Sequence, residues 1–416
     1  MAQPPPARGR GMARDQAAGR IGGLARGAIH RARNLANAPH DAKQGWTSRR
    51  RLWPNRRPMS HPWRLFGLVL AFVLVACSPA VGFDPAKPHH ADGGFRNLPG
   101  APERDFPASV FLDFVARRLL ARQEPVPLPE GHVLSEDDAV AGVAALGQGD
   151  GVTWLGHACF LVRLGGLTIL TDPFLTEWAS PIVGIGPKRF AGPGISIERL
   201  PPIDLIVVSH NHYDHFDLRT IERLPGRERI AAFVPLGLGR YFRDRGYGRV
   251  IEADWGDRAQ FGAVTATLVP VNHWSRRTPL DTNRTLWGGH VLEGPGGVKL
   301  FHAGDTGYGP VFREVIARHG PFDLAMVPIG GYDPPIMMKA THLDPEQAVL
   351  VADEIGARIA VGMHWGTLPL TDEPPFEPPE RFRAAARAAG WPEGRARVLR
   401  IGETLALPKA DGGRRP

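Results

Sequence analysis

The apolar run "IDLIVV" (203–208) leads directly into "SHNHYDHFD" (209–217), where three histidines and two aspartates fall within nine residues. No other feature narrows the fold as much. A short continuous apolar run bounded by turn signals predicts a strand buried on both faces. Polar groups at the end of a buried strand need partners, and each costs about 1–3 kcal/mol if left unsatisfied. A bound metal would satisfy all of them at once.

The same arrangement recurs along the chain. His273 follows the strand predicted within "AVTATLVPV" (263–271), Asp305 ends "VKLFHAGD" (298–305), and His364 lies in "RIAVGMHW" (358–365). With His210, His212, Asp214 and His215 this makes seven candidate ligands at four strand ends. Imidazole and carboxylate suit zinc, and seven groups are too many for one tetrahedral ion. Divided between two ions with one bridging carboxylate, the number fits.

Further runs, "VTWLG", "CFLVRL", "LTILTD", "AAFVP", "TLWGGHVLE" and "DLAMVPI", read as strands. Helices are predicted between them. "LDPEQAVLVADEIGA" (343–357) opens with Asp344 as N-cap, Pro345 in the first turn and Gln347 as the capping-box partner. "PVFREVIARHG" begins at Pro310 and stops at Gly320. Two strand-rich halves with interposed helices predict a layered α/β domain over 151–410.

The formal charge of +8 is not a nucleic-acid signal. Residues 1–58 carry 13 Lys or Arg against Asp15 and Asp41, a net +11, which leaves the other residues at −3. No nucleic-acid partner is expected. Two cysteines, Cys77 and Cys159, exclude a disulfide framework and a Cys-rich zinc site, while a single bridge between them stays open.

Residues 1–58, rich in Pro, Gly, Ala and Arg, read as a disordered tail. Met59–Cys77 reads as a secretory signal: Arg64 precedes the apolar stretch 65–76, too short to span a bilayer. "LVAC" (74–77) resembles a bacterial lipoprotein signal, which makes Cys77 a lipid anchor on the periplasmic side of the envelope. Met59 is an alternative start, and "SRRRLW" (48–53) is loosely similar to a twin-arginine export signal. Residues 78–150 form a Pro/Gly-rich extension with one helical patch. There Phe111, Phe114, Val115 and Leu119 share a face, to pack on the body or to meet a membrane.

The segments "TWLGHACFLV", "LTDPF", "SHNHYDHFD", "NHWSRRTPLDTNRTLWGG", "HAGDTGYG", "THLDPEQAV" and "MHWGT" together resemble the metallo-β-lactamase superfamily. Within it they are similar to the N-acyl-phosphatidylethanolamine phospholipase D family and its bacterial relatives. The resemblance spans roughly 151–370. It implies an αββα sandwich and a dinuclear zinc site, with His210, His212 and His273 on one ion, Asp214, His215 and His364 on the other, and Asp305 between them. It also implies attack by an activated water on a lipid phosphodiester, with Asp214 orienting the nucleophile. His342 is then a proton donor to the leaving alkoxide or a phosphate contact, and His157 a support beside the site. His290, His302 and Cys159 read as strand-interior residues. Arg276 and Arg277 could meet a phosphate or form a solvated pair, and Tyr213, Trp274, Tyr308 and Tyr332 could line an acyl pocket. A phospholipid is therefore the expected substrate. The alternatives are a lactonase of sugar phosphates and a metal-loaded lipoprotein that binds without turnover.

Overall fold

The computed structural model describes residues 84–120 and 125–408, without the side chains of 118–120. The tail, the signal segment with Cys77, and Leu119 of the helical patch lie outside the described residues or side chains.

A two-stranded ribbon, β1 (His90–Ala91) with β2 (Gly94–Phe95), precedes two seven-stranded sheets. The first sheet holds β3 (Gly151–Gly156), β4 (Cys159–Leu164), β5 (Leu167–Thr171), β6 (Leu205–Val207), β7 (Ala231–Pro235) and β8 (Arg249–Ala253). The second runs from β9 (Arg258–Phe261) through β10 (Val264–Val269), β11 (Gly289–Glu293), β12 (Lys299–His302), β13 (Leu324–Pro328) and β14 (Ala360–Met363) to β15 (Ala396–Arg397). The last strand, β16 (Thr404–Ala406), returns to pair antiparallel with β3 in the first sheet. Each sheet is half antiparallel and half parallel: β3–β5 and β9–β12 alternate in direction, while β5–β8 and β12–β15 run parallel. The parallel strands release their loops at one edge of the sandwich, and most of the predicted ligands are there.

Strand β6 shows why the apolar run is continuous. Side chains alternate across a strand, so Leu205 and Val207 enter the core between the sheets. Ile206 and Val208 instead join Ile221 and Phe242 in the outer layer. The three strand residues and Val208 after them are fully buried, each contributing about 1.5–3 kcal/mol. Helix Pro345–Glu354 forms with the expected capping box between Asp344 and Gln347. The helix expected from Pro310 to Gly320 is instead Val311–Glu314 followed by a 3-10 turn, Ile316–His319. The break falls at Val315, whose φ of −119° departs from helical geometry.

The segment before the sheets is fastened to the body. Buried Asp254 accepts hydrogen bonds from Lys87, from His89 Nε2 (2.6 Å), from His90 Nε2 (3.0 Å) and from the Trp255 backbone N–H (2.8 Å). Burial alone would raise its pKa, but the His89 and Lys87 hydrogen bonds outweigh that and hold it well below the usual carboxylate range. The clasp is therefore at full strength above about pH 4 and is lost only as pH falls through the lower folded-state pKa. Asp254→Ala leaves the buried His89 and His90 donors without their acceptor, at a cost of about 1–3 kcal/mol each. Amide exchange over His90–Phe95 should accelerate accordingly, and unchanged exchange would contradict the clasp.

Candidate metal centre

The predicted ligands converge from separate loops. His210 and His212 follow β6, Asp214 and His215 lie in the same turn, His273 follows β10, Asp305 follows β12 and His364 follows β14. His212 Nδ1 lies 2.8 Å from His210 Nε2 and 3.3 Å from His273 Nε2. On the other side, His215 Nε2 is 3.5 Å from Asp214 Oδ2 and 3.1 Å from Asp305 Oδ2. His364 Nε2 is 3.6 and 3.2 Å from the same two oxygens. Tetrahedral zinc with bonds near 2.0–2.1 Å holds its ligand atoms about 3.3 Å apart, so both groups have the edge lengths of a zinc shell. Asp305 Oδ2 also stands 4.0 Å from His210 Nε2 and 3.9 Å from His273 Nε2, between the two groups.

The donors are also unspent. His215 Nε2, His364 Nε2 and Asp305 Oδ1 are buried without hydrogen-bond partners. Burial disfavours charge on His215 and His364, but Asp305 and Asp214 outweigh it, lifting His215 well above the imidazole range and His364 to about 9. Burial likewise opposes charge on Asp214 and Asp305, yet the facing histidines hold both well below the carboxylate range. His210 and His273 are driven well below the ordinary value by burial, and His212 to about 3. Two protonated histidines thus balance buried carboxylates, and metal cations would displace those protons. The residues fit two ions.

The outer contacts fix these rings. Asp172, at the end of β5, accepts from His215 Nδ1 (2.8 Å), Ser209 Oγ (2.6 Å) and the Ser209 N–H (2.6 Å). Ser209 Oγ in turn accepts from His210 Nδ1 at 2.9 Å. One carboxylate therefore orients a ligand in each group. Burial pushes Asp172 up, but His302 and the His215 and Ser209 hydrogen bonds keep it charged. Its role was not read from the sequence, although "LTDPF" carries the signal of an aspartate at a strand end. Asp172→Asn should lower zinc affinity by about 10–100-fold, measured by chelator competition. An affinity within twofold of the parent would remove it from the site.

His157 sits in the β3–β4 turn at φ 57°, and Nε2 donates to Asp214 Oδ2 at 2.9 Å. Burial and the nearby His364 lower its pKa to about 3, so it is a neutral ring supporting Asp214. His342 places Nε2 3.4 Å from Asp305 Oδ2 and remains accessible from the adjoining cavity. His290 and His302 pair across β11 and β12 in the core, and Cys159 is buried. Arg276 and Arg277 both line the cavity, and Arg277 is tied down there by donating to the Asn211 and Phe216 carbonyls. Tyr213 and Trp274 line that cavity. Tyr308 does not, because its hydroxyl donates to Glu354, and Tyr332 packs under Arg381 instead.

His89, His90 and Asp254 also lie close enough to hold an ion. Their atoms are already committed: His90 Nδ1 accepts from the Asp84 N–H, leaving Nε2 as the donor to Asp254, where Lys87 supplies the positive charge. They are a clasp.

A β-lactamase superfamily domain model matches residues 168–365. A metal-dependent hydrolase of Rubrobacter xylanophilus is 33% identical over 62% of this chain and 96% of its own. This chain belongs to the metallo-β-lactamase superfamily. An N-acyl-phosphatidylethanolamine-hydrolyzing phospholipase D of Caenorhabditis elegans is 39% identical over 56% of this chain and 68% of its own. Among solved structures, a possible metal-dependent hydrolase of Veillonella parvula superposes with a TM-score of 0.50 at 19% identity, covering 62% of this chain and all of that one. The layered fold is that of this superfamily, and the chain is a metal-dependent hydrolase.

Proposed function

We propose that this hydrolase holds two zinc ions and cleaves N-acyl-phosphatidylethanolamine, or a related lipid phosphodiester, to phosphatidic acid and an N-acylethanolamine. The observation that carries the reading is a cavity of about 650 Å³ opening onto the metal-ligand cluster. His212, Asp214, Asp305 and His364 reach it, while Phe106, Phe111, Phe114, Trp274, Met337 and Met338 line its walls. Ligand pockets occupy about 300–1,000 Å³. An apolar wall beside a polar reactive end suits a phosphodiester carrying long chains. A sugar-phosphate lactone would leave that wall unused, which favours the lipid over the lactonase reading.

Bound zinc would supply Lewis acidity towards a phosphoryl oxygen and make a water more acidic. The chain's own groups do the rest. His157 holds Asp214, and Asp172 holds His215 and, through Ser209, His210. His342, whose Nε2 lies 3.4 Å from Asp305 Oδ2, would give a proton to the departing alkoxide as the phosphorus–oxygen bond to the ethanolamine breaks. The apolar walls hold the chains and exclude water. Anchoring through Cys77, on the envelope side reached by export, would keep the cavity beside its substrate.

Hydrolysis in ¹⁸O-water tests the reading. Attack at phosphorus puts the label in phosphatidic acid and none in the N-acylethanolamine. Label in the alcohol, or release of diacylglycerol, would sink it.

A further inference from the structure

Two arginines at the cavity have no counter-ion. Arg104, from the segment before the sheets, lies 3.9 Å from the centroid of the Trp274 ring, and Arg276 lies 5.0 Å from the same centroid. Both line the cavity. Among the described residues no carboxylate pairs with either. By contrast, other arginines of the body have partners: Arg381 holds Glu346, Arg245 holds Glu222 and Arg395 holds Asp353. Desolvation, together with the like charge of Arg276, lowers the Arg104 pKa to about 10. Holding two guanidiniums over one indole is unfavourable without an anion and favourable with one.

The position of the pair says which anion. Trp274 stands edge-on to the ligand His212 with ring centroids 4.5 Å apart, so the arginines lie one aromatic ring away from the metal cluster. They are displaced from the group that the metals would hold. Around them the surface is apolar: Phe111 lines the same cavity, Leu112 next to it is 64% exposed, and Ile336, beside cavity-lining Met337, is 49% exposed. Cations set among exposed apolar side chains match the boundary layer of a bilayer, where apolar burial and attraction to anionic lipid act together.

We propose that Arg104, Trp274 and Arg276 form a second anion subsite that binds the phosphate of an anionic phospholipid at the cavity. The inference rests on the lipid reading for its biological setting, and its protection test does not depend on that reading. A lipid phosphate here would orient the cavity towards the membrane surface while the metal centre takes the scissile diester. Arg104 belongs to the segment outside the matched superfamily domain, so that segment would be part of substrate selection and more than a linker.

The test is arginine protection in the full chain loaded with zinc. Phenylglyoxal modification of Arg104 and Arg276 is read by peptide mass spectrometry with and without monomeric dihexanoyl-phosphatidylglycerol. Dihexanoyl-phosphatidylcholine and inorganic phosphate serve as separate arms, and exposed Arg258 and Arg318 as internal references. The expected result is several-fold protection of Arg104 and Arg276 alone, by the anionic lipid more than by phosphatidylcholine. The protection should persist in Asp305→Asn, where hydrolysis is lost, so a failed lipid-hydrolase reading would not be mistaken for a failed subsite. The double variant Arg104→Gln/Arg276→Gln should raise KM for lipid in anionic vesicles by about 30-fold, at about fivefold per lost charge. Its zinc content should match the parent, which shows that the fold and the metal centre are intact. Protection by inorganic phosphate without protection by the lipid would overturn the lipid assignment. Equal modification in every arm, or an unchanged KM in the double variant, would overturn the subsite itself.

Discussion

Asp305→Asn is expected to abolish hydrolysis of both lipid and soluble phosphodiesters while the fold persists. Asp305 Oδ2 lies within 4.0 Å of the Nε2 atoms of His210, His215, His273, His342 and His364. The side chain is 2% exposed, so solvent cannot replace its charge. Removing one member of a buried charge pair costs about 3–5 kcal/mol, equivalent to roughly a hundredfold or more in the stability of whatever the histidines hold. At least one zinc equivalent should therefore be lost, and turnover should fall by a comparable factor or more. The variant also separates a binder from a catalyst: a binder without turnover could keep its affinity for lipid, whereas a catalyst loses its reaction. A variant with full zinc content and full activity would show that Asp305 does not bridge the two groups.

His342→Gln should separate leaving groups. His342 lies just before helix Pro345–Glu354 and faces the cavity, and its Nε2 is 3.4 Å from Asp305 Oδ2. General acid catalysis by a placed side chain contributes about 10²–10⁴-fold. An alkoxide departing from a lipid diester needs that proton, whereas p-nitrophenolate is stable without it. The expected result is a loss of about 10²–10⁴-fold in kcat on the lipid, with bis(p-nitrophenyl) phosphate turnover reduced less than tenfold and zinc content unchanged. An equal loss on both substrates would make His342 a phosphate contact or a structural residue.

Much of the site was legible because strand-end chemistry is local. Four apolar runs, each followed by His or Asp, pointed to the loops that meet in space, and the capping box of Asp344 and Gln347 marked its helix. The parts that escaped depend on contacts distant in sequence. Asp172 orients His215 and Ser209 from 43 and 37 positions away, and no spacing rule connects them. Asn97 accepts from the His273 N–H and donates to the His273 carbonyl across 176 positions, so the segment before the sheets also braces a ligand. Strands β8, β9, β15 and β16 went unread because they are short, half-exposed and mixed in polarity, as edge strands are. Arg276 and Arg277 are adjacent in sequence and both line the cavity, yet two backbone carbonyls hold Arg277 and none holds Arg276 among the contacts of the described residues. Only the tertiary structure could separate them.

The proposed function joins two zinc ions to the cleavage of a lipid phosphodiester. The most direct test incubates the zinc-loaded chain with N-acyl-phosphatidylethanolamine in detergent micelles beside Asp305→Asn, with products read by mass spectrometry and zinc counted per chain. About two zinc ions per chain are expected in the parent, with phosphatidic acid and N-acylethanolamine appearing together and absent from the variant. A parent that binds its zinc and leaves the lipid intact would contradict the lipid assignment, and a parent that cleaves without zinc would contradict the metal centre.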